Sequence, residues 1–204
     1  PNGCLLGQYE DLDWLGLSYD EEPRSGGPVG PYRQSERYDR YAIALNQLNE
    51  LGLLYPCWCS RKEVRLASRA PHASDEGPVY PGTCRPTVVA PLDSLCELPV
   101  RRDRKPALRL NVKAALQRLD QTSINFSDHI AGPQSFDMES SMGDFVVRRV
   151  DGIAAYQIAC AIDDAEMNCT QVLRGIDLLP STARQLLILE TLGLMVPSYA
   201  HVGL

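Results

Sequence analysis

Apolar residues recur at helical spacing over residues 5 to 17, through Leu5, Leu6, Tyr9, Leu12 and Leu15, and Gly16 is placed to end the helix. The stretch 21 to 31, EEPRSGGPVGP, is rich in turn residues and predicts a loop. A second helical stripe runs through Tyr38, Tyr41, Ala42, Leu45, Leu48 and Leu51 to Gly52, with Ser35 as the expected N-cap and Glu36 in the first turn. LLYPCWCS follows as a short apolar stretch, then an irregular polar segment over 65 to 79 and a proline-rich one over 86 to 106. A strand is expected at ALRLNV (107 to 112), and INFSDHIAG (124 to 132) predicts another short strand and a turn. Next comes the alternating run DFVVRR from Asp144, a turn at Asp151-Gly152, and the apolar run IAAYQIACAI ending at Asp163 and Asp164. A strand-like TQVLRG carries Arg174, and Thr182 with Gln185 fits the capping box of a helix running to about Leu192, stopped by Gly193. Strands and helices interleave, so the class is α/β. The loop-rich middle reads as an insertion, which divides the chain into 1-56, 57-112 and 113-204.

Charge and cysteine content narrow the picture. The 204 residues carry a net charge of -6, which argues against a general phosphate-binding surface. Short basic clusters at Arg101, Arg102, Arg104 and Lys105, and at Arg148 and Arg149, read as solvated charged loops. No apolar run approaches the ~20 residues of a membrane span, and no basic-then-apolar leader opens the chain. Pro1 stands where a methionine would begin a complete chain, the expected sign of a piece of something longer, although processing or cloning would leave the same mark. Seven cysteines without a leader predict reduced thiols and a cytoplasmic setting.

Two groups of residues carry candidate chemistry. Cys57 and Cys59 lie two apart, so on an extended segment both thiols share a face, and Cys84 follows a glycine-containing turn that can fold it back. Three thiolates are one ligand short of a tetrahedral zinc site. Tyr80, His72 and Cys96 are the candidates for the fourth place, and imidazole chemistry ranks His72 first; the alternative is three structural cysteines and no metal. The second group is Tyr156 and Arg174, one polar group from each of two apolar elements, which together make a pocket wall with a positive charge. A buried guanidinium needs an anionic partner, and a planar carboxylate offers a bidentate one. The competing partner is one of the chain's own acids, Asp163, Asp164 or Asp177.

AYQIACAIDD, TQVLRGIDLLPSTARQ and PSYAHVGL, with Cys-x-Cys followed by Tyr-x-x-x-Cys, resemble the catalytic core of glutamate-specific class I aminoacyl-tRNA synthetases. Within that family the resemblance is nearer to the short paralogue branch that glutamylates queuosine in tRNA(Asp). EDLDWLGLSYD and YRQSERYDRY resemble its early helices, and only the stretch around 62 to 79 is longer than the family's. The resemblance implies a Rossmann-like catalytic core with an inserted loop-rich zinc-binding subdomain. It implies Tyr156 and Arg174 as the glutamate-holding residues, and Cys57, Cys59, Tyr80 and Cys84 as ligands of one structural zinc ion, which moves Tyr80 ahead of His72. Its partners would be L-glutamate, ATP and tRNA(Asp), its setting away from membranes, and its state a monomer. The family's HIGH-like sequence and KMSKS-like lysine loop are not present in these 204 residues, so the chain alone is expected to be poor at activating glutamate.

Overall fold

The computed structural model describes residues 2–67, 79–95 and 104–204. His72, Cys96, Arg101 and Arg102 lie outside the described residues. The chain separates into two compact units, 1–37 and 38–204.

In the first unit, helix α1 spans Asn2–Trp14, three residues earlier than the apolar spacing predicts, and Gly16 follows it in the left-handed conformation. Arg24 bridges Asp13 (2.8 Å) and Glu22 (3.0 Å), and Arg37 donates to the carbonyl of Pro31 at 2.8 Å. Ser35 caps no α-helix: Gln34–Glu36 forms one 3-10 turn.

In the second unit, α2 (Tyr38–Glu50) leads into β1 (Leu54–Cys57) and the short α3 (Arg61–Ala67). A capping box that the sequence reading passed over opens α3. The Glu63 amide donates to Ser60 Oγ at 3.2 Å, and the Ser60 amide donates to Glu63 Oε2 at 2.6 Å. β2 covers Ala107–Leu110, and the expected strand breaks there because Asn111 caps α4 (Val112–Arg118), accepting from the Ala114 amide at 3.1 Å. β3 (Ile124–Asp128) turns back into β4 (Gly132–Phe136), followed by α5 (Met138–Ser141) and β5 (Val146–Arg148). The apolar run after the Asp151-Gly152 turn is helix α6 (Tyr156–Glu166). β6 (Gln171–Gly175), α7 (Leu179–Leu192) and β7 (Ser198–Val202) complete the unit.

Two sheets result. One has the order β1-β2-β5, all antiparallel; the other has the order β4-β3-β7-β6, in which β3, β7 and β6 run parallel and β4 closes the edge antiparallel. The main core joins α2, α4, α6 and α7 to the sheets, with Leu48, Leu110, Ile124, Ile158 and Leu187 fully buried, and a second cluster gathers Tyr55, Cys57, Val64 and Tyr80. Truncating one such leucine to alanine costs about 2–5 kcal/mol. Gly193 ends α7 at φ 65, the left-handed turn expected of a glycine after a helix.

Candidate functional site

The parallel pairing of β6 with β7 sets Arg174 directly across from His201, so both side chains rise from the same face of the sheet. Helix α7 then crosses above them. Thr182 and Gln185, expected as a capping box, instead lie inside α7, both fully buried. Their side chains hold the guanidinium. Arg174 Nη2 donates to Thr182 Oγ1 at 2.6 Å and to Gln185 Oε1 at 2.8 Å, and Nε donates to His201 Nε2 at 3.2 Å.

The histidine is held from behind. Its Nδ1 lies 2.6 Å from Asp128 Oδ2, and both side chains are fully buried. Arginine Nε can only donate, so His201 Nε2 accepts there; the ring proton is on Nδ1 and points at Asp128. The aspartate also takes the amides of Ile130 (3.0 Å), Ala131 (2.7 Å) and His201 (3.1 Å) on Oδ1. Burial alone would raise its pKa, but the Ala131 amide and the His201 ring outweigh it and hold the carboxyl well below the ordinary range.

Among the described residues no carboxylate comes within ion-pair distance of Arg174; Asp163 is taken by the Tyr41 hydroxyl (2.8 and 2.9 Å). The arginine is thus fixed by neutral groups and keeps its charge. Tyr156, at the first turn of α6, is 48% exposed and reachable from solvent. Burial pushes its phenol up and Cys160, one turn further along, adds to this, while the Arg174 charge pulls the other way. Asp164, on the next turn, is raised to about 6 by burial, against the opposing pull of Arg174. Tyr199 lies under the guanidinium, 5.5 Å from ring centroid to Cζ, and among the described residues its buried hydroxyl has no hydrogen-bond partner. Tyr156, Cys160, Asp164, Arg174 and Tyr199 therefore share one electrostatic neighbourhood.

The thiols form the second site. The Cys57, Cys59 and Cys84 sulfurs lie within 4.8 Å of one another, with Cys59 and Cys84 3.6 Å apart. Tyr80 Oη is 3.4 Å from Cys57 Sγ and 3.9 Å from Cys59 Sγ. A tetrahedral ion with sulfurs at about 2.3 Å and an oxygen at about 2.0 Å requires S···S edges of about 3.8 Å and S···O edges of about 3.5 Å. The edges of 3.6, 3.4 and 3.9 Å lie near those figures, and the remaining sulfur pairs fall within 4.8 Å. Tyr80 is oriented by the Cys84 amide, which donates to Oη at 2.7 Å, and by Arg109, whose Cζ sits 3.8 Å from the ring centroid. Burial opposes a thiolate at Cys57, yet Tyr80 and Arg109 outweigh it and lower its pKa; burial and Cys84 push Cys59 up to about 12. Gly143, at φ 62, bridges to Tyr80, and a Cβ there would meet Val79 Cγ1 at 2.9 Å.

Asp144 ties this cluster to the core. Its carboxylate accepts from the Tyr55 hydroxyl, from Arg85 Nε at 2.6 Å and from the Val112 amide at 2.9 Å, while its carbonyl takes Arg109 Nη1 at 2.7 Å. The sequence reading missed Asp144, as it missed Asp128 and His201. A period-2 count would have flagged His201 as the lone polar inward position of SYAHV. No local signal marks Asp144.

Comparison with known proteins follows the same lines. A family model described as tRNA synthetases class I (E and Q), catalytic domain, matches residues 3–204. Glutamyl-Q tRNA(Asp) synthetase of Nitratidesulfovibrio vulgaris is 46% identical over 95% of this chain and 56% of its own length. The protein of that name from Symbiobacterium thermophilum is 47% identical over 95% and 57%. Glutamate--tRNA ligase 1 of Halorhodospira halophila is 44% identical over 95% and 38%. The crystal structure of glutamate-tRNA synthetase from Elizabethkingia anophelis superposes with a TM-score of 0.73 at 29% identity, covering 96% of this chain and 39% of that one. The chain therefore spans just over half the length of the first two relatives. With a family model matching residues 3–204 and relatives 46–47% identical over 95% of its length, the chain belongs to the class I glutamyl- and glutaminyl-tRNA synthetase catalytic-domain family.

Proposed function

We propose that the protein to which this chain belongs activates L-glutamate with ATP and transfers the glutamyl group to queuosine in tRNA(Asp). Arg174 receives a carboxylate of glutamate and Tyr156 lines the same wall. The observation that carries this is the guanidinium gripped by Thr182, Gln185 and His201, all neutral, with its charge left for a ligand. A cation immobilised in advance spares a ligand the cost of ordering it. The tRNA(Asp) branch is favoured by the Leu-Leu-x-Ser-Thr run at Leu178 to Thr182, and by the 46–47% identity to the two proteins named for that tRNA.

Cys57, Cys59, Cys84 and Tyr80 would hold one structural zinc ion, with the 57–112 segment as an inserted zinc-binding subdomain between core portions 1–56 and 113–204. Bound metal contributes folding free energy to a loop-rich segment with little apolar area. Arg109 and the Cys84 amide orient the phenol oxygen for that role.

Glutamate titration by calorimetry tests the pocket. Arg174→Ala is expected to weaken glutamate binding about 30- to 150-fold, from the loss of about 2–3 kcal/mol of charged hydrogen bonding, with the melting temperature kept. Unchanged affinity would remove the role. On the intact protein, glutamate-dependent pyrophosphate exchange, followed by charging of tRNA(Asp) but not tRNA(Glu), is the expected result; absent exchange would end the synthetase reading.

A further inference from the structure

Thr182, Gln185 and His201 use up most of what Arg174 can donate. Both hydrogens of Nη2 are spent, on Thr182 and Gln185, and the single Nε hydrogen goes to His201. Two hydrogens remain, both on Nη1, which makes no hydrogen bond among the described residues. The two-nitrogen fork with which an arginine grips a carboxylate is therefore closed. A carboxylate arriving at Nη1 meets one nitrogen, and its second oxygen needs a donor from elsewhere.

Tyr199 has one to give. The register that pairs Val172 with Tyr199 and Arg174 with His201 puts the phenol two residues before His201, on the face of the sheet that carries the guanidinium. Phe126 and His201 flank its ring, with centroids 6.1 and 6.2 Å away, so its direction is fixed. The residue is 2% exposed, and no described residue meets its hydroxyl. A phenylalanine would fill the same space without leaving a polar atom unsatisfied. The hydroxyl thus costs the folded chain stability until a ligand bonds it. Burial and Asp164 hold the phenol protonated, against the pull of Arg174, so it is a donor throughout the neutral pH range. Tyr156, by contrast, stands at the exposed rim of the same wall.

We propose that Tyr199 determines specificity in the glutamate pocket: its hydroxyl donates to one oxygen of the substrate's side-chain carboxylate while Arg174 Nη1 donates to the other. The α-carboxylate is the end that reacts with ATP and must stay open to the nucleotide, so the end that reaches a buried floor is the side chain. Two donors set against two anionic oxygens suit a carboxylate. A carboxamide brings one acceptor and one NH2 group, and its NH2 would oppose a donor on one side or the other. That role rests on the glutamate reading of Arg174 and adds to it the choice of glutamate over glutamine.

The test is calorimetric titration of the intact protein with L-glutamate and with L-glutamine. Tyr199→Phe should weaken glutamate binding about 5- to 10-fold and glutamine binding less than about twofold, so the preference for glutamate shrinks. Its melting temperature should stay level or rise, because the deleted hydroxyl has no protein partner in the free chain. A tyrosine with a structural role alone would give the reverse, a lower melting temperature and an unchanged preference. Unchanged glutamate affinity, or equal losses for the two ligands, overturns the role. Arg174→Ala, titrated alongside, separates the two ways of failing. If that variant keeps its glutamate affinity, the glutamate reading falls and Tyr199 with it. If it loses affinity while Tyr199→Phe matches wild type, only the role of Tyr199 falls.

Discussion

Replacing Asp128 with asparagine tests the arginine cradle without touching the arginine. Asparagine keeps Oδ1, so the amides of Ile130, Ala131 and His201 can remain satisfied. The second oxygen, which faces His201 Nδ1 at 2.6 Å, becomes an NH2 group. Nδ1 must then accept, and the ring proton moves to Nε2. There it faces the Arg174 Nε–H across 3.2 Å, donor against donor, and turns to Thr182 Oγ1 at 2.9 Å, which releases the arginine from its histidine hold. Losing one charge-assisted buried hydrogen bond costs about 2 kcal/mol, or ~4–8 °C of melting temperature for a chain of this size. Loosening one of the three holds on Arg174 should weaken glutamate binding about tenfold, equivalent to about 1.4 kcal/mol. The direct assay is nitrogen-15 NMR of the imidazoles, of which the chain has three: His72, His129 and His201. Wild-type His201 should show a protonated Nδ1 and a bare Nε2, and the variant the reverse. The carboxyl is depressed on folding, so its contribution is present above the unfolded value of about 3.9 and fades as pH falls through the folded value. The variant should lose that part of the acid limb. An unchanged tautomer with unchanged glutamate affinity would refute the cradle.

Three further outcomes are expected. Zinc content should approach one ion per chain and fall for Cys84→Ser; if His72→Ala lost the metal while Tyr80→Phe kept it, the phenol would not be the fourth donor. Gly143→Ala combines a left-handed φ with a 2.9 Å clash against Val79, and should destabilise the chain by about 1–3 kcal/mol while lowering metal affinity, as measured by chelator competition. Asp164 is raised to about 6 in the folded chain, so stability should decline as pH rises from about 4 to 6 and stay reduced above. The displacement would be worth about 3 kcal/mol if fully buried, and about 1 kcal/mol after solvent screening at this partly exposed carboxyl. Asp164→Asn should flatten that slope in urea titrations, and an unaltered slope would count against the shift.

The elements that were legible from sequence are those whose apolar period and stop signal agree. α2 with its stripe through Tyr41, Leu45 and Leu48 is one, and α7 ending at Gly193 is another. Legibility failed where a side chain had two possible partners. Thr182 and Gln185 have the spacing of a capping box, but α7 begins three residues earlier, at Leu179, and buries both against Arg174. Tertiary contact overrode a local motif there. The ALRLNV strand was cut at Asn111 because its side chain caps α4 more favourably than a strand would use it. At the sites, Arg174 and the thiol set could be named from residue type and spacing. Asp128, His201 and Asp144 could not, because their side-chain partners lie between 19 and 89 positions away in the chain.

Asp144 connects two regions that would otherwise report on different things. One carboxylate grips Arg85, immediately after Cys84, and the first amide of α4. Opening the turn that carries Cys84 would pull the guanidinium away and leave that helix start short of its acceptor's full support. Deuterium uptake at the Val112 amide is thus a remote gauge of the sulfur cluster, readable without any metal-specific probe. Transplanting residues 57 to 85 into another scaffold would fail unless this aspartate travelled with them.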